Sequence, residues 1–352
     1  MDRPHTTVDA IDPHERGVAR GALLRDGIPG ALDVYARLFA LGGIDLAGAR
    51  DDAERALDAI DAFRPAARAE IAGIAAGAGV EEWQAGVLNA RTEILARSTA
   101  VPPGECTTVV RGGIGAQTWD WHVELKPYWH TLESRGARHT VVGLTEHGIL
   151  GKMGVNSAGL ALHFNILGHL RDRVGGVPVH VLAATVLAEA GSAAEAVAIV
   201  RSAPLASSGS FALFDAAGDA VLLDISPVGV HEIRPDAMTG ALLRTNHFLT
   251  PSLTADEKSW LYQPDSGERR AFMAQRLQGE LPSTVDELAA LLVTGDGEPP
   301  VTCLPDPAKP LGQRWASLAT VTLDPATRTA RVLDGTPADI GTTPWRVLTA
   351  RP

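Results

Sequence analysis

Apolar residues recur at three- and four-residue intervals from about residue 13 to residue 100. The Ala-rich segments 31–40, 51–77 and 81–98 show this spacing, which is the period of a helix with one buried face. Asp51 and Asp52 stand at the start of the second segment and predict a helix cap with acids in its first turn. The pattern therefore predicts that the first part of the chain is helical.

The pattern changes after Pro-Pro-Gly at 102–104. Short runs rich in β-branched residues follow, separated by glycines, and their length is typical of strands. Strands are predicted at 106–111, 116–121, 140–144, 149–155, 160–165, 211–215, 220–225, 228–233, 241–245, 317–323 and 329–333. Helices are predicted at 179–200, 252–278 and 285–293. This order predicts an α+β protein in which packed sheets are covered by helices.

Composition and charge exclude several classes of protein. The 352 residues are 45% hydrophobic and 21% charged, which suits a protein with a large core. The net charge of −11 and the absence of a Lys/Arg stripe argue against a nucleic-acid partner. No apolar stretch approaches the roughly 18 residues of a membrane span, and no apolar leader follows the first residues. We therefore expect a cytoplasmic protein with no membrane partner.

The chain has only two cysteines, Cys106 and Cys303, which do not make a disulfide framework. Cys106 follows the turn-forming run and opens a β-branched strand, so we expect its thiol to be exposed to solvent at a strand end, placed to act as a nucleophile. A break in the Glu105–Cys106 bond would also give Cys106 a free α-amine. One residue would then hold both the nucleophile and its base. Cys303 lacks such a context and is interpreted as structural.

Further polar and aromatic residues occur in distinctive local sequences. Asp120 lies between Trp119 and Trp121, which we interpret with Trp315 as candidate walls of a substrate pocket. The other candidates are Asn165, Asn246 and Arg314. Asn156 is interpreted as a turn residue that tolerates left-handed dihedral angles.

The order of these segments resembles the isopenicillin N acyltransferase family of N-terminal-nucleophile (Ntn) hydrolases, and more distantly the bile-salt hydrolase and penicillin V acylase group. The resemblance extends over nearly the whole chain, although each motif alone is weak. The motifs are Arg-Gly-Val-Ala-Arg-Gly at 16–21, Cys-Thr-Thr at 106–108, Trp-Asp-Trp at 119–121, Gly-x-Asn-x-x-Gly-Leu at 154–160, Thr-Asn-His-Phe at 245–248 and Arg314.

The resemblance implies a four-layer αββα sandwich, made as a precursor that cuts itself at the Glu105–Cys106 bond. Residues 1–105 and 106–352 would become an α and a β chain within one integrated domain. It assigns Cys106 as nucleophile, Thr108 as an aid to cleavage and Asn246 as an oxyanion donor. Asp120 would be the acid near the new N-terminus, and Arg314 the late arginine that tunes its carboxylate. Asn165 would be the second asparagine of the bile-salt hydrolase group.

One residue departs from the family's pattern. The family's precursors often have glycine before the cysteine, and here Glu105 stands there, with Gly104 one step earlier. Glycine reaches unusual dihedral angles without the cost of a Cβ atom. Glu105 also places a negative charge beside the thiol. Slow maturation is therefore one expected consequence.

The expected function is a self-processing amidohydrolase or acyltransferase with an acyl-Cys106 intermediate. Its substrate would hold a linear acyl-amide bond, as in an N-acyl amino acid, a peptide-like conjugate or a β-lactam side chain. No external cofactor is needed for hydrolysis, and a coenzyme A thioester is the donor only if acyl transfer is the reaction. The acceptor and the formation of a homo-oligomer are left open.

Two alternatives remain open at this point. A papain-like enzyme would keep the chain uncut and use His163 or His247 as base. A binding protein on the same fold would have lost processing because of Glu105. The eleven histidines show no metal-ligand spacing with acids, so we expect no catalytic metal.

Overall fold

The computed structural model describes residues 3–98, 106–261 and 265–351. A short strand, β1 (His5–Asp9), precedes the N-terminal helices. These helices are α1 (Pro13–Leu23), α2 (Ile28–Leu41), α3 (Leu46–Phe63), α4 (Pro65–Ala78), α5 (Glu82–Asn89) and α6 (Arg91–Leu95). The helical character of this region is confirmed, although the sequence did not predict β1.

The predicted cap at Asp51 and Asp52 is wrong. Helix α3 begins at Leu46, where the side chain of Asp45 accepts a hydrogen bond from the backbone of Gly48 at 2.8 Å. Asp52 lies buried inside the helix, and its carboxylate pairs with Arg55 and Arg97. An acid can occupy a buried helical position when cations satisfy it, and a sequence pattern does not reveal such partners.

Helices α1 and α4 pack with their backbones in close contact. A Cβ atom at Gly17 would lie 2.1 Å from the carbonyl oxygen of Glu70, and at Gly21 it would lie 2.1 Å from that of Ile74. Arg16 and Arg20 both pair with the carboxylate of Glu70. The early Arg-Gly motif therefore fixes this helix pair.

The first sheet has eight strands in the order β1-β4-β5-β6-β7-β8-β9-β10. The strands after β1 are β4 (Trp129–Arg135), β5 (Val141–Glu146), β6 (Met153–Asn156), β7 (Leu160–Ile166), β8 (Gly209–Asp215), β9 (Ala220–Ser226) and β10 (Gly229–Ile233). The sequence did not predict β4, and β6 is shorter than the predicted strand at 149–155. Residues 149–152 instead connect β5 to β6.

The second sheet has six strands in the order β11-β2-β3-β12-β13-β14. These strands are β2 (Thr107–Arg111), β3 (Ile114–His122), β11 (Ala241–Arg244), β12 (Trp315–Asp324), β13 (Thr329–Leu333) and β14 (Arg346–Thr349). The two sheets meet face to face. Between them, the side chain of Gln117 donates to the carbonyl oxygen of Phe164 at 2.6 Å and accepts from its N–H at 3.2 Å.

Helices cover the outer face of each sheet. Helices α7 (Val179–Glu189) and α8 (Ala193–Ser202) pack on the first sheet. After α9 (Pro251–Thr254), helices α10 (Asp265–Arg276) and α11 (Val285–Leu291) pack on the second sheet. The predicted helices at 179–200 and 252–278 are thus each divided. The predicted αββα sandwich of α+β class is confirmed.

The helices of the described ranges include none with the length and apolar character that crossing a bilayer requires.

Candidate active site

Cys106 lies immediately before β2 and is 4% exposed. Thr107 pairs with Thr118 on the antiparallel strand β3, so one further step places Cys106 opposite Trp119. Both side chains share the face of Thr108 and Gln117, which points toward the first sheet. The Sγ atom of Cys106 lies 3.8 Å from the carbonyl oxygen of Asp120. The strand start therefore aims the thiol into the space between the sheets, rather than into solvent as the sequence suggested.

Three polar side chains hold the backbone of Cys106. Its N–H donates to Oδ1 of Asn246 at 2.9 Å. Its carbonyl oxygen accepts from Nδ2 of Asn165 at 3.0 Å and from Nη1 of Arg269 at 3.1 Å. We call Asn165, Asn246 and Arg269 the backbone cradle.

The position of Asn246 follows from the pairing of β11 with β2. Arg244 at the end of β11 lies opposite Thr108, so continuing two residues brings Asn246 beside Cys106. Its Oδ1 atom also accepts from Nη2 of Arg269 at 3.1 Å, and its Nδ2 atom donates to the carbonyl oxygen of Ile166 at 3.0 Å. These contacts fix the carboxamide with its NH₂ group as a donor, which the oxyanion role requires.

Arg269 is a site residue that the sequence did not indicate. It lies on α10, is fully buried, and also donates to Thr107 Oγ1 at 3.0 Å and to Asp265 at 2.6 Å. In the sequence it follows Glu268 and precedes Arg270, which is typical of a solvated helix face. Only the packing of α10 onto the second sheet brings it to the cysteine.

Arg314, the arginine that the resemblance indicated, lies elsewhere. Its guanidinium pairs with the carboxylate of Glu124 and is about a third exposed, with a side-chain exposure of 34%. Its backbone oxygen accepts from the N–H of Val123. Where we expected Arg314 to act on the carboxylate of Asp120, the structure thus brings it to Glu124.

Asp120 is fully buried and held by hydroxyl groups. Ser317 Oγ donates to its Oδ1 at 2.6 Å, and Thr118 Oγ1 donates to its Oδ2 at 3.4 Å. Ser317 faces Asp120 at a register shift between β12 and β3, where Ala319 already faces Trp119. Bulges of this kind redirect side chains near sites. The carboxylate is therefore fixed on the outer face, while its own carbonyl touches the thiol.

Thr108 and Asn165 join the two sheets beside the cysteine. Thr108 Oγ1 donates to Asn165 Oδ1 at 2.6 Å, which leaves the NH₂ group of Asn165 for the Cys106 carbonyl oxygen. The structure thus gathers Thr108, Asn165, Asn246 and Asp120 around Cys106. Glu105, the other half of the expected scissile bond, lies outside the described residues.

The three candidate tryptophans differ in their surroundings. Trp119 and Trp121 are buried, and Trp121 Nε1 donates to the hydroxyl of Tyr35 at 3.0 Å. Trp315 is half-buried, and its ring lies 4.1 Å from that of His122. Trp121 also lines a small space of about 20 Å³ next to the site, whose other walls include Leu95, Ile166, Leu167, Asp172, Ser208, Lys258 and Leu261.

The thiol of Cys106 is hard to ionise in its buried position. Burial, and then the negative charge of Asp120, raise its pKa to about 12. The hydrogen bond to the Asp120 backbone and the charges of Lys152 and Arg269 act in the opposite direction. At neutral pH the group is therefore a thiol, and a base is needed to make it a nucleophile.

The histidines of the papain-like alternative do not provide this base. Within the described ranges, the hydrogen-bond partner of the thiol is the Asp120 carbonyl, and neither His163 nor His247 bonds to it. Burial lowers the pKa of His163 to about 3 and that of His247 to about 4. Nδ1 of His247 lies 2.7 Å from Ser266 Oγ.

The remaining sequence interpretations concern Asn156, Cys303 and metals. Asn156 ends β6 and closes the β6–β7 turn by accepting from the backbones of Ala158 and Leu160, but the left-handed position predicted for it is taken by Gly159, with a φ of 86°. Cys303 is buried, and its N–H donates to Ser317 Oγ at 3.0 Å. In residues 3–98, 106–261 and 265–351, no three acids, histidines or cysteines cluster as metal ligands would.

Known proteins resemble this chain in sequence and in fold. Residues 110–339 match the family described as acyl-coenzyme A:6-aminopenicillanic acid acyl-transferase. The acyl-coenzyme A:6-aminopenicillanic-acid-acyltransferase 40 kDa form of Emericella nidulans is 31% identical over 338 residues, which cover 92% of this chain and 91% of that protein.

Among solved structures, an N-acylethanolamine-hydrolyzing acid amidase ortholog from Caenorhabditis elegans is 14% identical and has a TM-score of 0.42. Its match covers 63% of this chain and 93% of that one. A variant of conjugated bile acid hydrolase from Clostridium perfringens is 10% identical with a TM-score of 0.45, covering 69% and 92% of the two chains. The sequence matches confirm the predicted kinship and the prediction of an enzyme. The chain belongs to the acyl-coenzyme A:6-aminopenicillanic acid acyltransferase family.

Proposed function

We propose that this protein is a self-processing Ntn cysteine enzyme, which cleaves or transfers the linear acyl-amide bond of a small molecule through an acyl-Cys106 intermediate. The observation that carries the proposal is the contact between Cys106 and Asn246. One carboxamide accepts from the N–H of the nucleophilic residue, and its own NH₂ group is oriented by donating to the carbonyl oxygen of Ile166 on the first sheet. A donor fixed in this way suits the oxyanion of amide-bond cleavage.

Self-cleavage begins with attack of the Cys106 sulfur on the carbonyl carbon of Glu105. The C–N bond of the peptide breaks, its nitrogen takes a proton and becomes the free α-amine, and a thioester joins the two chains. Water then hydrolyses the thioester, which releases the Glu105 carboxylate and regenerates the thiol. The backbone cradle supports this step because it holds both the N–H and the carbonyl of Cys106.

Turnover repeats the same chemistry on a substrate. The new α-amine of Cys106, with a pKa ordinarily near 7.7 to 8.0, accepts the thiol proton as sulfur attacks the substrate carbonyl. The proton passes to the leaving amine, and the acyl group stays on sulfur. Water as the second acceptor gives hydrolysis, and another amine gives acyl transfer. A coenzyme A thioester would be the acyl donor in the second case.

The substrate class rests on the family rather than on a preformed pocket. The space beside Trp121, about 20 Å³, has room for about one water molecule, and its walls mix apolar side chains with polar ones such as Lys258 and Asp172. From the acyltransferase family we infer that N-acyl amino acids, peptide-like conjugates and β-lactam side chains are suitable substrates.

The mass of the purified protein tests self-processing. The proposal expects two chains of about 11 and 26 kDa, in proportion to their lengths, in place of 36.9 kDa. Cys106→Ala should remain intact, and Cys303→Ala is the matched control that should still be cut. An intact wild type that no thiol-directed acylating reagent labels at Cys106 would contradict the proposal.

A panel of N-acyl compounds then defines the reaction. Each compound is incubated with the cut protein, with and without an added amine acceptor, and the products are identified by mass. Release of free acid alone indicates a hydrolase, whereas a new amide in the presence of acceptor indicates a transferase. A panel on which Cys106→Ala matches the wild type would contradict both.

A further inference from the structure

Lys152 is a buried cation that the proposed chemistry does not use. It lies directly before β6, and its side chain is 3% exposed. Its Nζ atom is 2.8 Å from Glu146 Oε1 and 3.4 Å from Nε2 of His180. Burying an ammonium is costly unless charge and hydrogen bonds compensate it, so a lysine here requires an explanation.

The groups around Lys152 leave a surplus of positive charge. We call Arg91, Glu146, Lys152 and His180 the cation cluster. Both cations bond to the same oxygen of Glu146, and the hydroxyl of Tyr35 donates to the other at 2.7 Å. The charges of Arg91 and Lys152 hold the pKa of Glu146 well below its usual range, although burial opposes them. One carboxylate therefore balances two cations.

The remaining titratable neighbours do not face Lys152 with an opposite charge. Burial and the two cations lower the pKa of His180, so its ring is neutral. Glu93, whose pKa burial raises, acts on Arg91 and accepts hydrogen bonds from Ser207 and from the backbone of Val179. Burial also raises the pKa of Tyr35, which keeps the phenol neutral.

The cation cluster lies against Trp119, a neighbour of the nucleophile on the adjacent strand. Lys152 Nζ lies 4.6 Å from the ring centre of Trp119, and 5.9 and 5.8 Å from those of Trp121 and Phe164. Trp119 is the residue opposite Cys106 in the β2–β3 pairing, on the same face. Side chains opposite each other in this way have Cβ atoms about 5 Å apart. Lys152, Trp119 and Cys106 are all buried, and a buried environment screens charge far less than water does.

We propose that the ammonium of Lys152, fixed by Glu146 against Trp119, is the counter-charge of the Cys106 thiolate and makes Lys152 a positioning residue for the nucleophile. The inference rests on the proposed function only in taking Cys106 as the nucleophile. Lys152 takes no proton in this scheme. It lowers the energy of the anion that forms when the base removes the proton from sulfur.

The charge of Lys152 limits the pH range of this effect. Burial lowers its pKa to about 8, although Glu146 opposes the shift most strongly among the groups that raise it. The ammonium is therefore present at neutral pH and is lost as the pH rises through about 8. The reactivity of Cys106 should rise with pH as the thiol ionises. Above about pH 8 the reactivity should rise less steeply, because the ammonium of Lys152 is lost.

The test is the rate at which iodoacetamide alkylates Cys106 between pH 6 and pH 8, the range in which the ammonium of Lys152 is present. The chain has two cysteines, so Cys303 provides an internal reference site. The peptides that hold Cys106 differ between intact and cut protein, so mass spectrometry follows each state on its own. Lys152→Met should lower this rate about tenfold at pH 7 in the same state, because loss of the counter-charge raises the pKa of the thiol, and Lys152→Arg should restore most of the rate.

Lys126→Met is the matched control. Lys126 is exposed, and this change removes the same charge from the chain. An unchanged alkylation rate in Lys152→Met, or an equal loss of rate in Lys126→Met, would overturn the proposal. Lys152→Gln serves if the Met variant does not fold, and failure of both neutral variants to fold would assign Lys152 a structural role and overturn it. A wild type that is never cut would refute self-processing, yet the alkylation rate would still decide the role of Lys152.

Discussion

The backbone cradle and the cation cluster both surround Cys106, but they act on different atoms. Asn165, Asn246 and Arg269 bond to the N–H and the carbonyl of Cys106. Lys152 instead bonds to Glu146, and its ammonium lies against the ring of Trp119. The first group fixes where the nucleophile stands, and the second changes how readily it ionises.

This difference shows how the fold separates geometry from electrostatics. The cradle residues come from β7, from the end of β11 and from α10, all close in space to the start of β2. The cluster lies at the far side of the tryptophans, where Arg91 on α6 and His180 on α7 meet β5. Loss of a cradle residue should therefore reduce rate at every pH, whereas loss of a cluster charge should move a pH profile.

The largest expected effect follows from removing the Asn246 donor. Asn246→Asp keeps Oδ1 as an acceptor for the Cys106 N–H and removes the NH₂ group. We expect a loss of about 10²- to 10³-fold in the rate of self-cleavage and in kcat, with the same loss in Asn246→Ala. The rates are followed by mass and by product release. Retention of the wild-type rate in Asn246→Asp would show that only the acceptor matters.

The next prediction concerns the free energy of unfolding. It depends on a buried titratable side chain that, unlike the cradle and the cluster, has no compensating charge. His163 is fully buried and stacks on Phe214, and burial lowers its pKa from the usual 6.5 to about 3. The unfolded chain takes up a proton as the pH falls below about 6.5, but the folded chain does so only near 3. Stability is therefore lost across this window as the pH falls.

His163→Phe should remove this loss. Between pH 7 and pH 5 the histidine is expected to cost about 2 kcal/mol of the free energy of unfolding, measured by urea titration. The Phe variant should lack this part of the slope. His14→Gln is the control, because His14 lies exposed on α1. An identical slope in the wild type and in His163→Phe would contradict the account.

A smaller effect distinguishes the two candidate arginines. Arg269→Gln loses the charge that holds both the Cys106 carbonyl and Asn246, so we expect about a tenfold lower rate of self-cleavage. Arg314→Gln breaks only a partly exposed pair with Glu124, and it should lose less, because such pairs contribute little. The reverse order of losses would restore Arg314 as the arginine of the site.

Residues in local motifs could be predicted, and residues that act across the fold could not. Cys106, Asp120 and Asn246 occur in short sequences that set them at strand ends or between indoles, and pairing of β2 with β3 and β11 then brings them together. Arg269 has the local sequence of a solvated helix. Lys152 is a single charge inside an apolar run that we interpreted as a strand, and that interruption was the one signal available for it.

The boundaries of the fold show the same limit. The Pro-Pro-Gly run at 102–104 and the β-branched runs after it identify most strands, because local propensity and burial agree there. Strand β1 was missed because it pairs in parallel with a strand more than a hundred residues away, a contact that no local pattern reveals. Strands β4 and β14 were missed as well. Asp52 was misplaced because its partners, Arg55 and Arg97, satisfy it inside a helix.

The most direct test of the whole account is the mass of the protein while it works. An active preparation is mixed with its acyl substrate, quenched in acid and measured by mass spectrometry. We predict that the acyl group appears on a chain that begins at Cys106 with a free α-amine. Full activity in material that remains one chain of 36.9 kDa would contradict the central claim.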